Sequence, residues 1–435
     1  MKKTLCLLLT LCLLISLVPA FAENGPVTVT FWHSMTEEAK ELLDGYVADF
    51  NATVGAEKGI RVEAVFQGSY ADSVTKMNSI LSAPGHTDEL PDVMQLDATG
   101  KAAYSQAEAA WTVDKMLAEY PETDISSMLP AALMNWNLAG VQLGLPFATS
   151  TTVTYYNKTA LGGLPVETLQ DIAALKGQVS EATADGAAVT IYAAVPNTPT
   201  LANWLGQLGS DVVNHRNGSE GIADALDCLD NGALLTFLRA WKDLYLSGAL
   251  KNASSDREAF AAGRLLVMTN SSSSIAQTQA LIGDSFELGV GPYPRVNAEA
   301  ASGATVSGSC LVMFDHGDAR RAAAREFVIY LTSPETQVSF AMGTGYVPSN
   351  ALAAESAEWQ AFVQEHPLYD VALRQILATP ASMRSVTVGP SADFYYTIMN
   401  DISDMLENDQ TPEETAEIME EDLGGLLWQY VRANP

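Results

Sequence analysis

An alternation of short strands and helices from residue 27 onward is the feature that most limits how this chain can fold. Strand-like patterns at 27–32, 62–66 and 91–96 are each followed by a helical pattern, at 36–51, 70–81 and 100–108. A repeated β-α unit favours a parallel sheet with crossover helices, because parallel neighbours need a long connection. We therefore expect an α/β fold.

Strand patterns return late in the sequence, after a helix-rich middle. Helical patterns occur at 222–230, 234–247 and 258–262, whereas 289–294 and 305–314 have the composition of strands again. Near the end of the chain, Thr411 as N-cap, Pro412 at the first position and Glu414 three residues after the cap predict a helix start. The late strands indicate two lobes joined by several crossovers.

The first 22 residues have the pattern of a secretory signal peptide. Lys2 and Lys3 give a basic start, an apolar segment follows, and AFA at 20–22 is a small-x-small cleavage site. The apolar segment is short for a membrane span. We expect export, to the periplasm or the outer face of the cell membrane, and Cys12 leaves lipid anchoring or free secretion open.

The charge and the cysteines narrow the classes of partner and site. A net charge of -29 repels nucleic acid and anionic lipid, both of which bind basic patches. Of four cysteines, Cys228 and Cys310 remain after the leader. Export permits a disulfide between them, but two buried unpaired thiols are the expected state.

Enzyme and metal motifs are absent from the sequence. It contains no Gly-x-Ser-x-Gly, no His-Glu-x-x-His and no P-loop, and its histidines have no metal-ligand spacing. We therefore expect neither catalysis nor a metal or other cofactor. A secreted carbohydrate-active hydrolase with a carboxylate pair remains the alternative, because such a pair has no fixed sequence spacing.

Five short motifs carry a resemblance to a known family. They are FWHSM at 31–35, QGSY at 67–70, PFATST at 146–151, YYNK at 155–158 and GTGYVP at 343–348. Together they resemble the extracellular solute-binding proteins of ABC importers, in the branch of the maltose and glycerol-3-phosphate receptors. FWHSM and GTGYVP are most similar to the glycerol-3-phosphate-binding type.

The resemblance implies a two-lobed periplasmic-binding-protein fold of type II-like architecture. Each lobe would be a mainly parallel sheet flanked by helices, and several hinge crossovers would join the lobes. It implies an N-terminal lobe of 27–150 plus 300–344 and a C-terminal lobe of 151–299 plus 345–435. The implied function is a monomeric receptor that captures a small polyol, sugar or glycerophospho compound and delivers it to the ABC permease subunits.

The resemblance also implies the ligand-binding positions of the cleft between the lobes. They are Tyr70, Asp97, Thr149, Ser150, Trp204, Ser272, Gly308 and Tyr346. Trp32 and His33 join them because they end the first strand, and ligands sit at strand ends in α/β proteins. Two alternatives stay open: Trp204 as a core residue, and Asp97 as a helix N-cap.

One departure from the resembled type concerns phosphate. That type holds phosphate with an arginine in a stretch that here reads VTVG at 386–389, and Thr387 takes the place of the arginine. A bidentate guanidinium suits a phosphate, and a threonine cannot replace it. Arg384 lies about 10 Å away on an extended segment. We expect weak glycerol-3-phosphate binding and a better fit for a neutral polyol, a sugar or a glycerol-type diester.

Overall fold

The structure, a computed structural model, describes residues 25–83, 85–183 and 186–433. The predicted signal peptide at 1–22 lies outside these residues. The strands are β1 Val27–His33, β2 Ile60–Phe66, β3 Val93–Asp97, β4 Asn137–Leu138, β5 Val141–Gln142, β6 Leu145–Asn157, β7 Thr190–Ala193, β8 Leu250–Lys251, β9 Leu265–Ser271, β10 Leu288–Gly291 and β11 Val306–Met313.

The helices alternate with these strands and form the tail. They are α1 Glu37–Ala52, α2 Val54–Lys58, α3 Tyr70–Leu81, α4 Lys101–Gln106, α5 Val113–Glu119, α6 Pro130–Asn135, α7 Lys158–Leu161, α8 Leu169–Ala174, α9 Thr198–Gln207, α10 Ala233–Leu246, α11 Arg257–Ala261, α12 Ile275–Ile282, α13 Asp318–Leu331, α14 Pro334–Thr344, α15 Ala351–Glu355, α16 Ala357–Glu365, α17 Asp370–Ala378, α18 Ser391–Glu407 and α19 Pro412–Ala433.

One sheet runs through the molecule in the order β2-β1-β3-β11-β6-β9-β7-β8, with β10 also paired to β6. Strand β1 pairs in parallel with β2 and β3, and β7 pairs in parallel with β8 and β9. The joins made by β6 and β11 are antiparallel. The predicted α/β class is therefore confirmed, with antiparallel pairs where the chain crosses between the two parallel groups.

Strand β6 is the main crossover. Its Leu145 to Thr151 portion pairs with β11, and its Thr152 to Tyr156 portion pairs with β9. We call the half with β2, β1, β3 and β11 the first lobe, and the half with β9, β7, β8 and β10 the second lobe.

Separate hydrophobic cores fill the two lobes. Phe31 and Phe327 belong to a first-lobe core, whereas Trp204 and Trp241 belong to a second-lobe core that extends into the tail helices. A further cluster, which contains Leu129 just before α6 together with Trp359 of α16, joins the lobes. The residue limits given to the lobes by the resemblance remain a prediction.

Local hydrogen bonds explain which predicted helices form. Helix α19 begins as predicted, because the Thr411 hydroxyl accepts from the Glu414 backbone N–H at 3.2 Å and the Glu414 carboxylate accepts from the Thr411 N–H at 2.8 Å. The helix predicted at 222–230 is wrong: that segment forms bends and turns. The Asn214 side chain accepts from the Asp224 N–H at 3.0 Å, which ties the segment to a neighbouring turn.

Two expectations about the chain as a whole can be compared with the described residues. Cys228 and Cys310 are both buried and free, so the expected unpaired thiols are confirmed. Among the residues that the structure describes, no helix combines the length and the apolar character needed to cross a membrane.

Candidate functional site

A cavity of about 440 Å³ lies between the two lobes. Ser34 and Tyr70 line it from the first lobe, Ser273 and Gln277 from the second, and Tyr346 from the crossover after α14. We call it the tyrosine cavity. Its volume and its mixture of aromatic and polar side chains are typical of small-molecule sites.

Gln95 fixes the first-lobe side of the tyrosine cavity. Its side-chain amide donates to the Tyr70 hydroxyl at 2.9 Å and to the Ser309 hydroxyl at 2.8 Å, while its carbonyl accepts from the Ser34 N–H at 3.0 Å. Gln95 is fully buried in β3, so its side chain has no freedom to turn away. The network holds the Tyr70 ring in one orientation.

Tyr70 begins α3, directly after a complete capping box formed by Ser69 and Asp72. Burial raises the pKa of Tyr70 well above its ordinary value, and the neighbouring Tyr346 phenol adds to the shift. The hydroxyl therefore stays protonated at physiological pH and can donate a hydrogen bond to a ligand.

Tyr346 is held rigidly on the opposite side. Its ring stacks on Phe340 at a centroid distance of 5.4 Å, and its backbone N–H donates to the Thr344 hydroxyl at 3.2 Å. Burial raises the pKa of Tyr346, while hydrogen bonds with Ser273 and Tyr70 oppose the shift. Tyr70, Tyr346 and Ser273 thus meet across the gap between the lobes.

Asp97 ends β3 opposite Ser309 of β11 and is half-buried. Its Oδ1 accepts from the Thr99 hydroxyl at 2.6 Å. Burial raises the pKa of Asp97, and the hydrogen bonds from Thr99 oppose that shift. A carboxylate of this kind is a strong acceptor for ligand hydroxyls.

Thr149, Ser150 and Gly308 lie where β6 and β11 pair, outside the residues that line the tyrosine cavity. Thr149 and Ser150 are buried and already bonded, to the Ser349 hydroxyl at 2.7 Å and the Ser307 hydroxyl at 3.1 Å. Gly308 pairs with Thr149 at a φ of 103°, and a Cβ there would lie 1.9 Å from the Ala148 carbonyl oxygen. Only glycine fits that position, and the ligand roles of all three residues stay predictions.

Two predicted site residues are placed elsewhere. Trp204 is 1% exposed in the second-lobe core, where it stacks on Phe237 at 4.9 Å and donates to the Pro294 carbonyl at 3.2 Å. Ser272 is fully buried, and its hydroxyl accepts from the Thr151 N–H at 3.3 Å. The structure thus favours the core alternative for Trp204, and the adjacent Ser273 is the serine that lines the cavity.

Trp32 and His33 also point into packed surroundings. Trp32 is buried in a first-lobe core, with the Lys76 ammonium 4.0 Å from its ring. His33 is 1% exposed beside the Phe31 and Phe66 rings, and burial lowers its pKa to about 4. His33 is neutral at physiological pH and lies behind the residues that line the cavity.

Sequence reasoning missed Gln95 and Ser309. The available signal for Gln95 was a polar residue inside the otherwise apolar strand VMQLD, because a buried amide needs partners. Ser309 could be found only through the antiparallel pairing of β11 with β3, which brings residues distant in sequence together.

Comparison with known proteins places the chain in a family. Residues 45–366 match the model of the bacterial extracellular solute-binding proteins. The chain belongs to this family. This solute-binding protein is 26% identical over 396 residues to the sn-glycerol-3-phosphate-binding periplasmic protein UgpB of Yersinia pseudotuberculosis, covering 87% of this chain and 85% of that protein.

Solved structures support the two-lobed fold. UgpB of Mycobacterium tuberculosis, in complex with glycerophosphocholine, superposes with a TM-score of 0.74 at 18% identity, covering 94% of this chain and all of the other. The cyclic alpha-maltosyl-1,6-maltose binding protein of Arthrobacter globiformis gives a TM-score of 0.75 at 18% identity, covering 93% and 99%. Together they confirm the predicted architecture of two lobes.

The family fixes the coarse function. This is a solute-binding receptor of the ABC importer class, and its relatives are binding proteins, not enzymes. The comparisons do not favour the alternative of a carbohydrate-active hydrolase with a carboxylate pair.

Proposed function

We propose that this solute-binding protein captures a small polyol, sugar or glycerol-phosphate-type ligand between its lobes and delivers it to a membrane permease outside the cytoplasm. The observation that carries the proposal is the tyrosine cavity, where hydroxyls of both lobes meet beside a buried amide network. Groups that donate and accept hydrogen bonds around aromatic rings suit a polyhydroxylated molecule.

In this proposal the two lobes make different contacts with the ligand. Tyr70 and Asp97 of the first lobe would pair with ligand hydroxyls, and the Tyr346 ring would cover C–H surface. Ser273 of the second lobe completes the contacts only when the lobes approach. Because these contacts require closure, ligand shifts the population toward the closed receptor, which then presents both lobes to the permease.

The names of similar proteins support this ligand class. The Yersinia relative is named for sn-glycerol-3-phosphate, and the structural neighbours contain glycerophosphocholine or are named for a cyclic maltosyl sugar. A polyol portion is common to all three ligands. We infer that the polyol portion is what Tyr70, Asp97 and Tyr346 bind.

A thermal-shift screen followed by titration calorimetry tests the proposal. The mature protein should respond to at least one compound among polyols, sugars and glycerophosphodiesters. Tyr70→Phe should weaken that binding by about tenfold, since one buried ligand hydrogen bond is lost. Tyr396→Phe, at an exposed tyrosine of the tail, is the control. A panel without any binder would contradict the proposed function.

A further inference from the structure

A second cavity, of about 280 Å³, lies between the lobes. Lys101 and Asn135 line it from the first lobe, and Ser219 and Arg384 line it from the second. We call it the cation cavity. The lobes touch beside it, because the Ala139 N–H donates to the Ser219 carbonyl at 2.6 Å.

Lys101 brings a buried positive charge to this cavity. It opens α4, one helical turn after Asp97, and is 4% exposed. Its ammonium donates to the Asn135 carbonyl at 2.8 Å, and within the described residues it forms no ion pair. Burial, with a smaller contribution from the nearby Arg384 guanidinium, lowers the pKa of Lys101 to about 8. An ammonium can donate three hydrogen bonds, so it has capacity for a ligand.

Arg384 supplies a second cation from the other lobe. Its Nη1 donates to the Ser219 hydroxyl at 3.1 Å and lies 3.5 Å from the Glu220 carboxylate, whose side chain is 55% exposed. Its Nε is buried and has no hydrogen-bond partner in the described structure. An exposed carboxylate at this distance compensates the guanidinium only weakly.

A strained turn fixes the position of the Arg384 segment. His215, Arg216 and Asn217 all have positive φ angles, of 53°, 55° and 56°. The Asn217 side-chain amide donates to the Arg384 backbone carbonyl at 2.9 Å. The backbone carbonyl of Asn217 accepts from the Thr387 N–H at 2.8 Å. Three consecutive left-handed residues other than glycine are costly, and such strain is typical of functional sites.

We propose that Lys101 and Arg384 form a subsite for an oxyanion, so that the receptor selects ligands that bear a carboxylate or phosphate beside their hydroxyl groups. The proposal rests on the proposed function, whose cleft it extends. Closure brings two cations of opposite lobes to one cavity, where they repel each other. A bound oxyanion would remove that repulsion and satisfy the free donors, so it would favour the closed state.

The subsite differs from the phosphate site that Thr387 removes. On an extended segment, Arg384 would lie about 10 Å from the position that Thr387 occupies. In the structure the Thr387 backbone is bonded to Asn217, and Arg384 faces a lysine that the motif comparison did not consider. The expectation of weak phosphate binding is therefore open to test through Lys101.

Titration calorimetry of the mature protein with matched probes tests the inference. The pairs are D-glucose with D-glucuronate, and glycerol with sn-glycerol 3-phosphate; inorganic phosphate is a separate probe. At least one anionic probe should bind about tenfold more tightly than its neutral partner, because charge-assisted hydrogen bonds are about twice as strong as neutral ones. The two pairs distinguish a carboxylate from a phosphate.

Lys101→Met and Arg384→Gln should each abolish this preference and change the affinity for a neutral partner by less than about threefold. Without ligand, both variants should keep or raise the melting temperature, because each removes a repelled charge. Lys58→Met and Arg295→Gln remove the same charges elsewhere, where those residues pair with Glu326 and Glu167, and should keep the preference.

The outcomes separate the two proposals. Neutral binding without anion preference, or a preference that survives Lys101→Met, overturns the oxyanion subsite and leaves the proposed function intact. Inorganic phosphate that binds through both cations, with no polyol or sugar bound, supports the subsite and overturns the proposed function. A protein that binds none of these probes overturns the oxyanion subsite, and the wider screen of polyols, sugars and glycerophosphodiesters then decides the proposed function.

Discussion

The two lobes bury similar polar side chains for different purposes. Gln95 of the first lobe bonds to Tyr70 and Ser309, at the edge of the tyrosine cavity. Gln207 of the second lobe is as deeply buried, but it bonds to backbone, donating to the Gly303 carbonyl at 3.0 Å and accepting from the Val296 N–H at 3.1 Å. One amide orients a candidate ligand contact, and the other holds loops around a core.

The candidate binding groups of the two lobes come from different kinds of structural element. The first-lobe groups lie at or beside the carboxyl end of β3. In α/β sheets the carboxyl ends of the strands face the ligand cleft. In the second lobe, the helix that bears Trp204 packs into the core, and Ser273 and Arg384 come from a short 3-10 helix and a loop. The first lobe thus offers a fixed surface, and the second adds contacts that depend on closure.

Trp204→Ala tests whether the second-lobe aromatic cluster is core alone. We expect the free energy of unfolding to fall by about 3–5 kcal/mol, because a large buried side chain leaves a cavity. Urea denaturation measures this loss, and calorimetry on the folded variant should show unchanged affinity. Trp428→Ala, at an exposed tryptophan of α19, is the control. A large loss of affinity with little destabilisation would place Trp204 in the cleft.

Asp97→Ala tests the first-lobe side of the comparison. Binding of a hydroxylated ligand should weaken about tenfold or more, because a charge-assisted hydrogen bond contributes about 1.5–3 kcal/mol. Calorimetry with the ligand found in the screen measures the change. Asp88→Ala, at an exposed acid of the same lobe, should bind as the wild type does. Unchanged affinity in Asp97→Ala would remove the carboxylate from the site.

The sequence alone predicts those residues whose positions are determined by hydrophobic periodicity and by helix caps. Helix α3 has the predicted bounds, and Tyr70 and Tyr346 line the tyrosine cavity because a capped helix start and a glycine turn fix them. The orientation of Trp204 depends on how α9 packs in the second-lobe core, and the sequence does not reveal this because α9 mixes apolar and polar residues and nearly all of them are buried. Lys101 gave no signal, since its burial is created only by packing.

Gln95→Met and Gln207→Met compare the two buried amides directly. Each should destabilise the protein by about 1–3 kcal/mol, because the former partners of the amide lose their hydrogen bonds in a buried setting. Only Gln95→Met should also weaken ligand binding, since it frees the Tyr70 ring. Denaturant titration measures the stability of both variants, and calorimetry measures their ligand affinity. Each variant is the control for the other. Equal ligand affinity in the two variants would contradict the proposal that only the first-lobe amide orients a ligand contact.

The last prediction concerns the stability effect of a second buried carboxyl group, that of Asp401 in α18. Burial, then Asp422 and Asp404, raises the pKa of Asp401 to about 7, so the folded state prefers the protonated form. Its stabilising contribution is complete below the unfolded pKa of about 3.9 and is lost as the pH rises through about 7. Asp401→Asn should therefore raise the free energy of unfolding at pH 8, because the amide carries no charge whose burial is unfavourable.

The pH dependence of this effect distinguishes the core carboxyl from the cleft carboxyl. At pH 4 Asp401→Asn should have nearly the stability of the wild type, because the aspartic acid is then protonated in the folded state. Asp404→Asn removes the same charge from an exposed position and should change stability less at both pH values. Ligand affinity should stay unchanged in Asp401→Asn, in contrast to Asp97→Ala. A stabilisation equal at pH 4 and pH 8 would mean that the charge of Asp401 is not its cause.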